Sequence, residues 1–512
     1  MKMKEFFKKN WLFISALAIL NIVFVRFNIL SLVANTASKK VGLKGLALLA
    51  ICLAINFVAL VVYAFVKKKS FSREKTYLVI AGLLGFICIF ATPIDYIPDE
   101  YRHIMRAYEI SKGNFIADWN EDDKAMMQMP ISIDNARKNK LNPKGRGYNA
   151  YRTAVGNIIH ATDGTIEKDY STTAGYHPIV YLPHSTGMFV NNMLGFPPLL
   201  GVYLGRIFEL ICVLAMCYFA LKILPKYKDV FTLFLLFPLT LQQSMGVTAD
   251  GLLIGASFLF VAIAIRLIYD NKFKLSAKWL TLLYALATVI VVCKKIVYFP
   301  LLLVLFLIPQ DRFKSKKMKY IHIGGIMLLS LAFTGVWMLT QETTVSTGTS
   351  GLSGVLKNPI DFIVRMFGTF FGSHTVEYYD QLVGHKIDYN EISCNAWFYV
   401  FATFAMIVAL MIRNTETIKI KKIDRLLYAL IPTAVICLIY FVAETQWQDF
   451  AGQARVYGFN GRYLIPLLIF VPFIAHSSKV GRPKRINMDI VYILMIGFNA
   501  CVLTVKVLNN IL

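Results

Sequence analysis

The stretch Pro93-Ile-Asp-Tyr-Ile-Pro-Asp-Glu-Tyr-Arg-His-Ile-Met-Arg-Ala-Tyr-Glu-Ile-Ser-Lys-Gly113 follows an apolar run, and the chain changes character there. Pro98 suits the first turn of a helix, Asp99 and Glu100 favour its positive end, and Lys112 and Gly113 read as its last turn and stop. The spacing predicts a helix over 99–112, about three turns long. Tyr101, Ile104, Met105 and Tyr108 form its apolar stripe, with Asp99, His103 and Arg106 on the polar side. Such a helix is expected to lie on a membrane surface with its polar face turned to a cleft.

The rest of the chain is apolar in runs. It is 57% hydrophobic with a mean hydropathy of +0.56, and its runs repeatedly reach the roughly 20 residues that cross a bilayer. They are 11–33, 43–66, 76–93, 199–221, 229–246, 248–269, 278–293, 296–309, 320–340, 393–412, 426–442, 462–476 and 489–509. The fold class is therefore an all-α polytopic membrane protein of about 13 spans, within a range of 11–14. The first run lacks an Ala-x-Ala-like cleavage site and reads as a retained span.

The net charge of +24 raises the question of nucleic acid, and its distribution answers it. Segment 94–198 holds 12 acids against 11 Lys and Arg, so the excess lies elsewhere. It sits in short loops at 67–75, 222–228, 270–278, 310–319, 413–425 and 477–485. With the N-terminus inside, all of these face the cytoplasm, as the positive-inside rule requires, and no nucleic-acid partner is needed. Loops 94–198, 341–392 and 443–461 and the C-terminus then face outward. Counting 178–194 as a further span would invert every later loop, so it reads as a second interfacial or re-entrant helix. Three regions follow: a hairpin and basic loop at 1–75, a leading span with its large outer loop at 76–198, and a transmembrane core at 199–512. Within the large loop, turn signals at 142–147 and 162–164 suggest a small ordered lid, too poor in apolar residues for a core of its own. The eight cysteines lie in or beside apolar runs with no Cys-x-x-Cys, as small core residues do.

Four polar clusters fall at the outer ends of spans, where ionisable residues are costly. Asp99, Glu100, His103 and Arg106 include a carboxylate suited to act as a general base, or a helix cap and solvated face. Gln242, Gln243 and Asp250 lie in a turn that is either functional or a capped helix pair. Lys294 and Lys295, followed by Tyr298, sit on the side that the charge rule disfavours, which suits a lipid phosphate or ordinary snorkelling. Arg462 and Tyr463 open a span; the guanidinium suits phosphate oxygens, or an ion pair with Glu444 or Asp449. His374 and His385 show no metal-ligand spacing with Glu377 or Asp380. Patterns for phosphate loops, serine hydrolases and zinc proteases are absent from the sequence.

Taken together these stretches resemble a bacterial polytopic membrane family, domain of unknown function 2142. The resemblance rests on Pro98-Asp-Glu-x-x-His-x-x-Arg-Ala-Tyr-x-x-Ser-x-Gly113, then Pro178, Tyr181 and Pro183, then Gln242, Gln243 and Asp250, then Lys295 and Tyr298, then Gly461, Arg462, Tyr463 and Pro466. That family looks like a branch of the GT-C membrane glycosyltransferases. The resemblance implies a GT-C-like bundle with interfacial helices at 99–112 and 178–194, preceded by an added hairpin of two spans. It further implies transfer of a sugar from a polyprenyl-phosphate donor to a cell-envelope glycan or glycolipid on the extracytoplasmic side, by inverting single displacement. Asp99 or Glu100 would be the base, with His103 beside it. Arg106, Gln242, Gln243, Asp250, Lys295, Tyr298, Arg462 and Tyr463 would bind substrate. No cofactor is required, although the two carboxylates leave room for a divalent metal. The rival readings are a transporter or flippase of a lipid-linked oligosaccharide, which predicts central charges and a paired repeat, and a transferase of another phosphate-linked group.

Overall fold

The computed structural model describes the chain except residues 1–2, 36–40, 123, 142–155, 157, 159–163, 342–348, 385, 388–391, 394–396, 412–417, 447–454, 477–487 and 512. The expected turns at 142–147 and 162–163, together with His385, Cys394, Asp449 and the basic loop at 479–485, lie outside the described residues.

Helices α1 (Met3–Asn35), α2 (Val41–Lys68) and α3 (Arg73–Ala91) lead into α4 (Glu100–Ser111). A small unit within the long loop follows: strand β1 (Met126–Pro130), helix α5 (Ile131–Leu141) and strand β2 (Thr165–Asp169). The strands pair antiparallel, with Met126 opposite Asp169 and Pro130 opposite Thr165. Next come α6 (Leu182–Met193), α7 (Pro198–Ile223), α8 (Lys228–Leu235), α9 (Pro238–Gln243), α10 (Asp250–Tyr269), α11 (Ala277–Cys293) and α12 (Lys316–Thr340). The remainder holds α13 (Thr349–Lys357), α14 (Pro359–Phe371), α15 (His374–Val383), α16 (Trp397–Met411), α17 (Lys422–Gln446) and α18 (Met488–Ile511). Helix α7 is central, packing against α3, α6 and α10. The described cysteines are free, most of them buried.

Among the described residues, six helices are long and apolar enough to cross a membrane, in α2, α3, α7, α10, α12 and α17, with shorter apolar helices beside them. Three of the apolar runs are broken where the sequence reading expects a continuous span. Run 229–246 is the pair α8 and α9, of 8 and 6 residues, too short for the roughly 20 needed. Run 296–309 holds a 3₁₀ helix at Phe299–Leu307, and run 462–476 a 3₁₀ helix at Gly461–Phe470 with a short α turn after it. Each break carries proline (Pro238, Pro300, Pro466, Pro472), which lacks an amide hydrogen and crowds the preceding turn. Irregular backbone is tolerated at membrane depth only inside protein, and every residue from Val230 to Asp250 is buried.

Helix α4 corrects the expectation of a surface helix: of its residues only Arg102 is exposed. The long-loop unit and α6 cover it. Tyr101 donates to Asp134 of α5 at 2.8 Å, and Thr173 donates to the Arg102 carbonyl at 2.8 Å. The loop covers α4 through such hydrogen bonds and its hairpin, with little apolar core of its own. Helix α6, in contrast, leaves Leu182, Phe189 and Met193 exposed along one edge, and its twelve residues are too few to cross.

Helices α6 and α7 approach through glycine. A Cβ on Gly187 would fall 2.6 Å from the Leu204 carbonyl group of α7, so only glycine permits this crossing, as at close helix contacts in membranes generally. Gly187→Ala is expected to destabilise the protein by about 1–3 kcal/mol, read as a lower thermal unfolding midpoint in detergent.

Candidate functional site

The site grows from the turn between α3 and α4. Arg206 of α7 enters this turn and is fully buried with Glu100. Its Nε and Nη2 donate to Glu100 Oε1 and Oε2 at 2.9 and 2.7 Å. The remaining donors go to the carbonyls of Ile89 (3.0 Å), Thr92 (2.5 Å) and Pro93 (3.0 Å). Glu100 also accepts from the amides of Asp95 at 3.1 Å and Val247 at 3.3 Å. Lys506 of α18 donates to Thr92 Oγ1 at 3.0 Å, tethering the same turn. Every oxygen of Glu100 is thus engaged, so of the two carboxylates that the sequence leaves as equal candidates for the base, this one serves as a clamp.

Asp99, its neighbour, points the other way. Its backbone lies in the left-handed region at φ 66°, a conformation that a non-glycine residue holds only where its surroundings enforce it. The side chain is 55% exposed and its Oδ2 accepts from Arg462 Nη2 at 2.7 Å. Burial alone would push the Asp99 carboxyl up, but the Arg462 guanidinium, with smaller help from His103 and Lys294, holds it below the usual carboxylate range.

Arg462 joins three stretches. Its Nη1 donates to the Pro98 carbonyl at 2.9 Å and lies 3.4 Å from Asp250 Oδ2. Asp250, the first residue of α10, holds Lys294 Nζ at 2.7 Å through Oδ1. Burial would lower the Lys294 ammonium, yet Asp250 raises it above the ordinary lysine range. Asp99, Asp250, Arg462 and Lys294 therefore form one connected ion cluster, assembled from the starts of α4 and α10, the end of α11 and the break at 461–470. Tyr463 closes it, with its ring 5.2 Å from Lys294 Nζ and its hydroxyl 3.4 Å from Arg462 Nη2.

Beside the cluster opens a cleft. Tyr176, Lys294, Lys295, Tyr298 and Tyr463 form its polar side, while Ile439, Val442 and Ala443 of α17 form an apolar wall. Lys295 Nζ lies 5.5 Å from the Tyr176 ring centroid, and among the described residues no carboxylate pairs with it. Burial lowers its ammonium. Lys295 and Ile296 both have positive φ, 43° and 75°, so backbone strain is spent on pointing this lysine inward. The Tyr298 hydroxyl donates to the Tyr463 carbonyl at 2.8 Å, fixing one edge.

The remaining sequence candidates lie behind this surface. His103 is buried, its Nδ1 2.5 Å from the Tyr181 hydroxyl. Burial and then Lys294 hold it well below the usual histidine range, hence neutral, against the opposing pull of Asp99 and Asp250. Arg106 is turned away: it pairs with Glu109 at 2.6 Å and donates to the Phe115 and Tyr176 carbonyls, bracing the cleft from outside. Gln242 and Gln243 are buried in α9, and the Gln242 carbonyl shapes the turn at 244–246. Glu444 pairs with Arg365 at 2.8 Å and not with Arg462. Asp99 and Glu100 turn to different arginines, so their oxygens do not converge on a metal, and no group of three or more metal-ligating side chains occurs among the described residues.

Sequence reasoning passed over Arg206, Tyr176 and the pairing of Lys294. For Arg206 the signal was present, since an arginine inside the apolar run 199–221 demands a buried partner. For Tyr176 there was none beyond its place near the second motif.

Removing one member of a buried pair strands the other charge. Glu100→Gln and Arg206→Met are each expected to lose about 3–5 kcal/mol. The double variant should lose less than the sum by roughly 0.5–3 kcal/mol, measured as unfolding midpoints in detergent.

A family model described as predicted membrane protein (DUF2142) matches residues 83–471. No curated protein and no solved structure matches the chain.

Proposed function

The chain belongs to the DUF2142 family of predicted membrane proteins, and on that premise we propose that it is a GT-C-type glycosyltransferase. It would move a sugar from a polyprenyl-phosphate donor to a hydroxyl of an envelope glycan or glycolipid. The observation that carries this reading is one juxtaposition. A half-exposed, ionised carboxylate, Asp99, is joined through Arg462, Asp250 and Lys294 to a cleft that sets a lysine lacking a carboxylate partner among the described residues against an apolar wall from a span. An acidic base, a cation for phosphate and an apolar track for a lipid chain are what such a transfer uses.

In the proposed step the acceptor oxygen attacks the anomeric carbon as Asp99 takes its proton. The carbon–oxygen bond to phosphate breaks and the electron pair leaves with the phosphate, inverting the configuration. Phosphate is a good leaving group, so it needs positive charge rather than a general acid. Lys295 supplies that charge in a partly dry cleft, where it acts more strongly than in water. Glu100, Arg206 and Arg106 are positioning residues, and neutral His103 is held in place by Tyr181.

The charge layout supports an extracytoplasmic site. Lys67 pairs with Asp489 and Arg73 with Asp229 at the far end of α3 from Asp99. The 19 residues of α3 span about 28 Å, close to the hydrocarbon thickness of roughly 30 Å. Basic side chains gather one membrane width from Asp99, which supports a cytoplasmic placement of that end.

Asp99→Asn is expected to cut transfer from undecaprenyl-phosphate-linked sugars in proteoliposomes by about 10²–10⁴-fold, with expression and unfolding midpoint retained. Lys295→Gln should lower kcat as well as raise donor KM. Mass spectrometry of the products reads both, and an Asp99→Asn protein that still transfers at the wild-type rate overturns the assignment.

A further inference from the structure

Helix α14 is the feature that neither the site nor the spans absorb. On one side it packs on α17: the Phe362 and Phe441 rings lie 6.3 Å apart, Phe370 and Tyr440 6.4 Å, and Arg365 reaches Glu444 at 2.8 Å. Its other side is also apolar. Ile360, Ile363, Val364, Phe367 and Phe371 recur at intervals of three and four residues and are 46–73% exposed. The Phe367 and Phe371 rings stack on one another. Leu352 and Leu356 of α13 extend the patch.

Depth and length identify what covers it. Glu444 stands two residues before the end of α17 and Phe441 five, so α14 sits at the terminal turns of a span, at the boundary between headgroups and acyl chains. Its 13 residues measure about 20 Å, short of the roughly 30 Å a crossing needs. The exposed stripe is continuous in character with the bare apolar faces of the spans, such as Leu328, Val336 and Leu339 of α12 and Leu426 and Leu430 of α17. A water-facing surface rarely carries so large an apolar patch.

We infer that α14 is an in-plane membrane helix whose stripe of Ile360, Ile363, Val364, Phe367 and Phe371 is docked in the acyl chains of the leaflet at the cleft's end of the molecule. Its placement bears on the cleft. At about 100° per residue, Ile439, Val442 and Ala443 fall on one arc of α17, and Tyr440, Phe441 and Glu444 on the opposite arc. Helix α17 is therefore a partition one helix thick, with the cleft on one side and the lipid-docked α14 on the other. The helix ties the outer loop at 349–383 to the bilayer and braces the apolar wall from behind. This inference stands whether or not the chain transfers sugar.

The test places an NBD fluorophore on Val364→Cys and, separately, on Phe371→Cys of the full chain in phosphatidylcholine nanodiscs. Asp361→Cys, on the polar edge, is the water-facing control, and labelled unsubstituted protein gives the background from native cysteines. Only variants that elute as the unsubstituted protein does are read. The expected result is quenching by 5-doxyl phosphatidylcholine about threefold stronger at 364 and 371 than at 361, with the reverse order for iodide. Iodide quenching at 364 and 371 equal to that at 361 overturns the inference by placing the stripe in water. Protection from both quenchers overturns it by showing a protein partner, a second copy included.

Discussion

One guanidinium fixes the geometry on which the site depends. Arg206 ties the last turn of α3, the turn that follows it and the first residue of α4 into one unit through Ile89, Thr92, Pro93 and Glu100. Glu100 extends the tie to Val247, just ahead of α10. A buried ion pair of this kind contributes little net stability, because desolvation offsets its Coulombic gain. What it gives is register. With every donor and acceptor used, the turn has one arrangement, and adjacent Asp99 is left with a left-handed backbone and a carboxylate aimed at Arg462. Two acidic residues in sequence therefore do different work because one faces the core and the other Arg462.

The breaks in the apolar runs have the same logic. Proline at 238, 300 and 466 ends regular helix in three places, and the ends so created carry Gln242 and Gln243, Tyr298, and Arg462. A continuous span presents side chains only around a cylinder. A broken one can aim backbone and side chains along its axis into the protein, at membrane depth, where the surrounding helices satisfy the freed groups. Lys295 and Ile296, with consecutive positive φ values, show that the chain accepts strain to do so.

These features differ in how far the sequence reveals them. The 93–113 motif announces α4 within a residue or two, since Pro98, the acids after it and Gly113 are local signals read from local physics. Its setting is invisible at that level: helical spacing separates polar from apolar faces but cannot say that Tyr181, Phe115 and Tyr176 wait to satisfy the polar one. Hydropathy likewise finds runs 229–246, 296–309 and 462–476 yet cannot tell a lipid-facing span from a broken segment buried in protein, because both are apolar. Proline was the discriminating signal. The convergence of Asp99, Asp250, Lys294 and Arg462 is a tertiary fact, and the sequence offered only that each is an ionisable group at a span end. Helix α14 was hidden for another reason, since a stretch of 13 residues within a loop falls below any spanning threshold.

The charges left after pairing argue for the kind of ligand. Asp99 and Asp250 neutralise Arg462 and Lys294, and buried His103 is held neutral. Lys295 remains, so among the described residues the cleft carries one positive charge against an apolar wall. Burial depresses that ammonium's pKa, a penalty that an incoming anion would relieve. A lipid phosphodiester to a sugar bears a single negative charge and matches it. In the proposed transfer the leaving phosphate gains a second negative charge at the moment Asp99 gains a proton. A protonated Asp99 no longer holds Arg462 by charge, and the guanidinium becomes available for the phosphate just as the phosphate requires it. The salt bridge at rest is thus the arrangement from which proton transfer and leaving-group stabilisation can occur together.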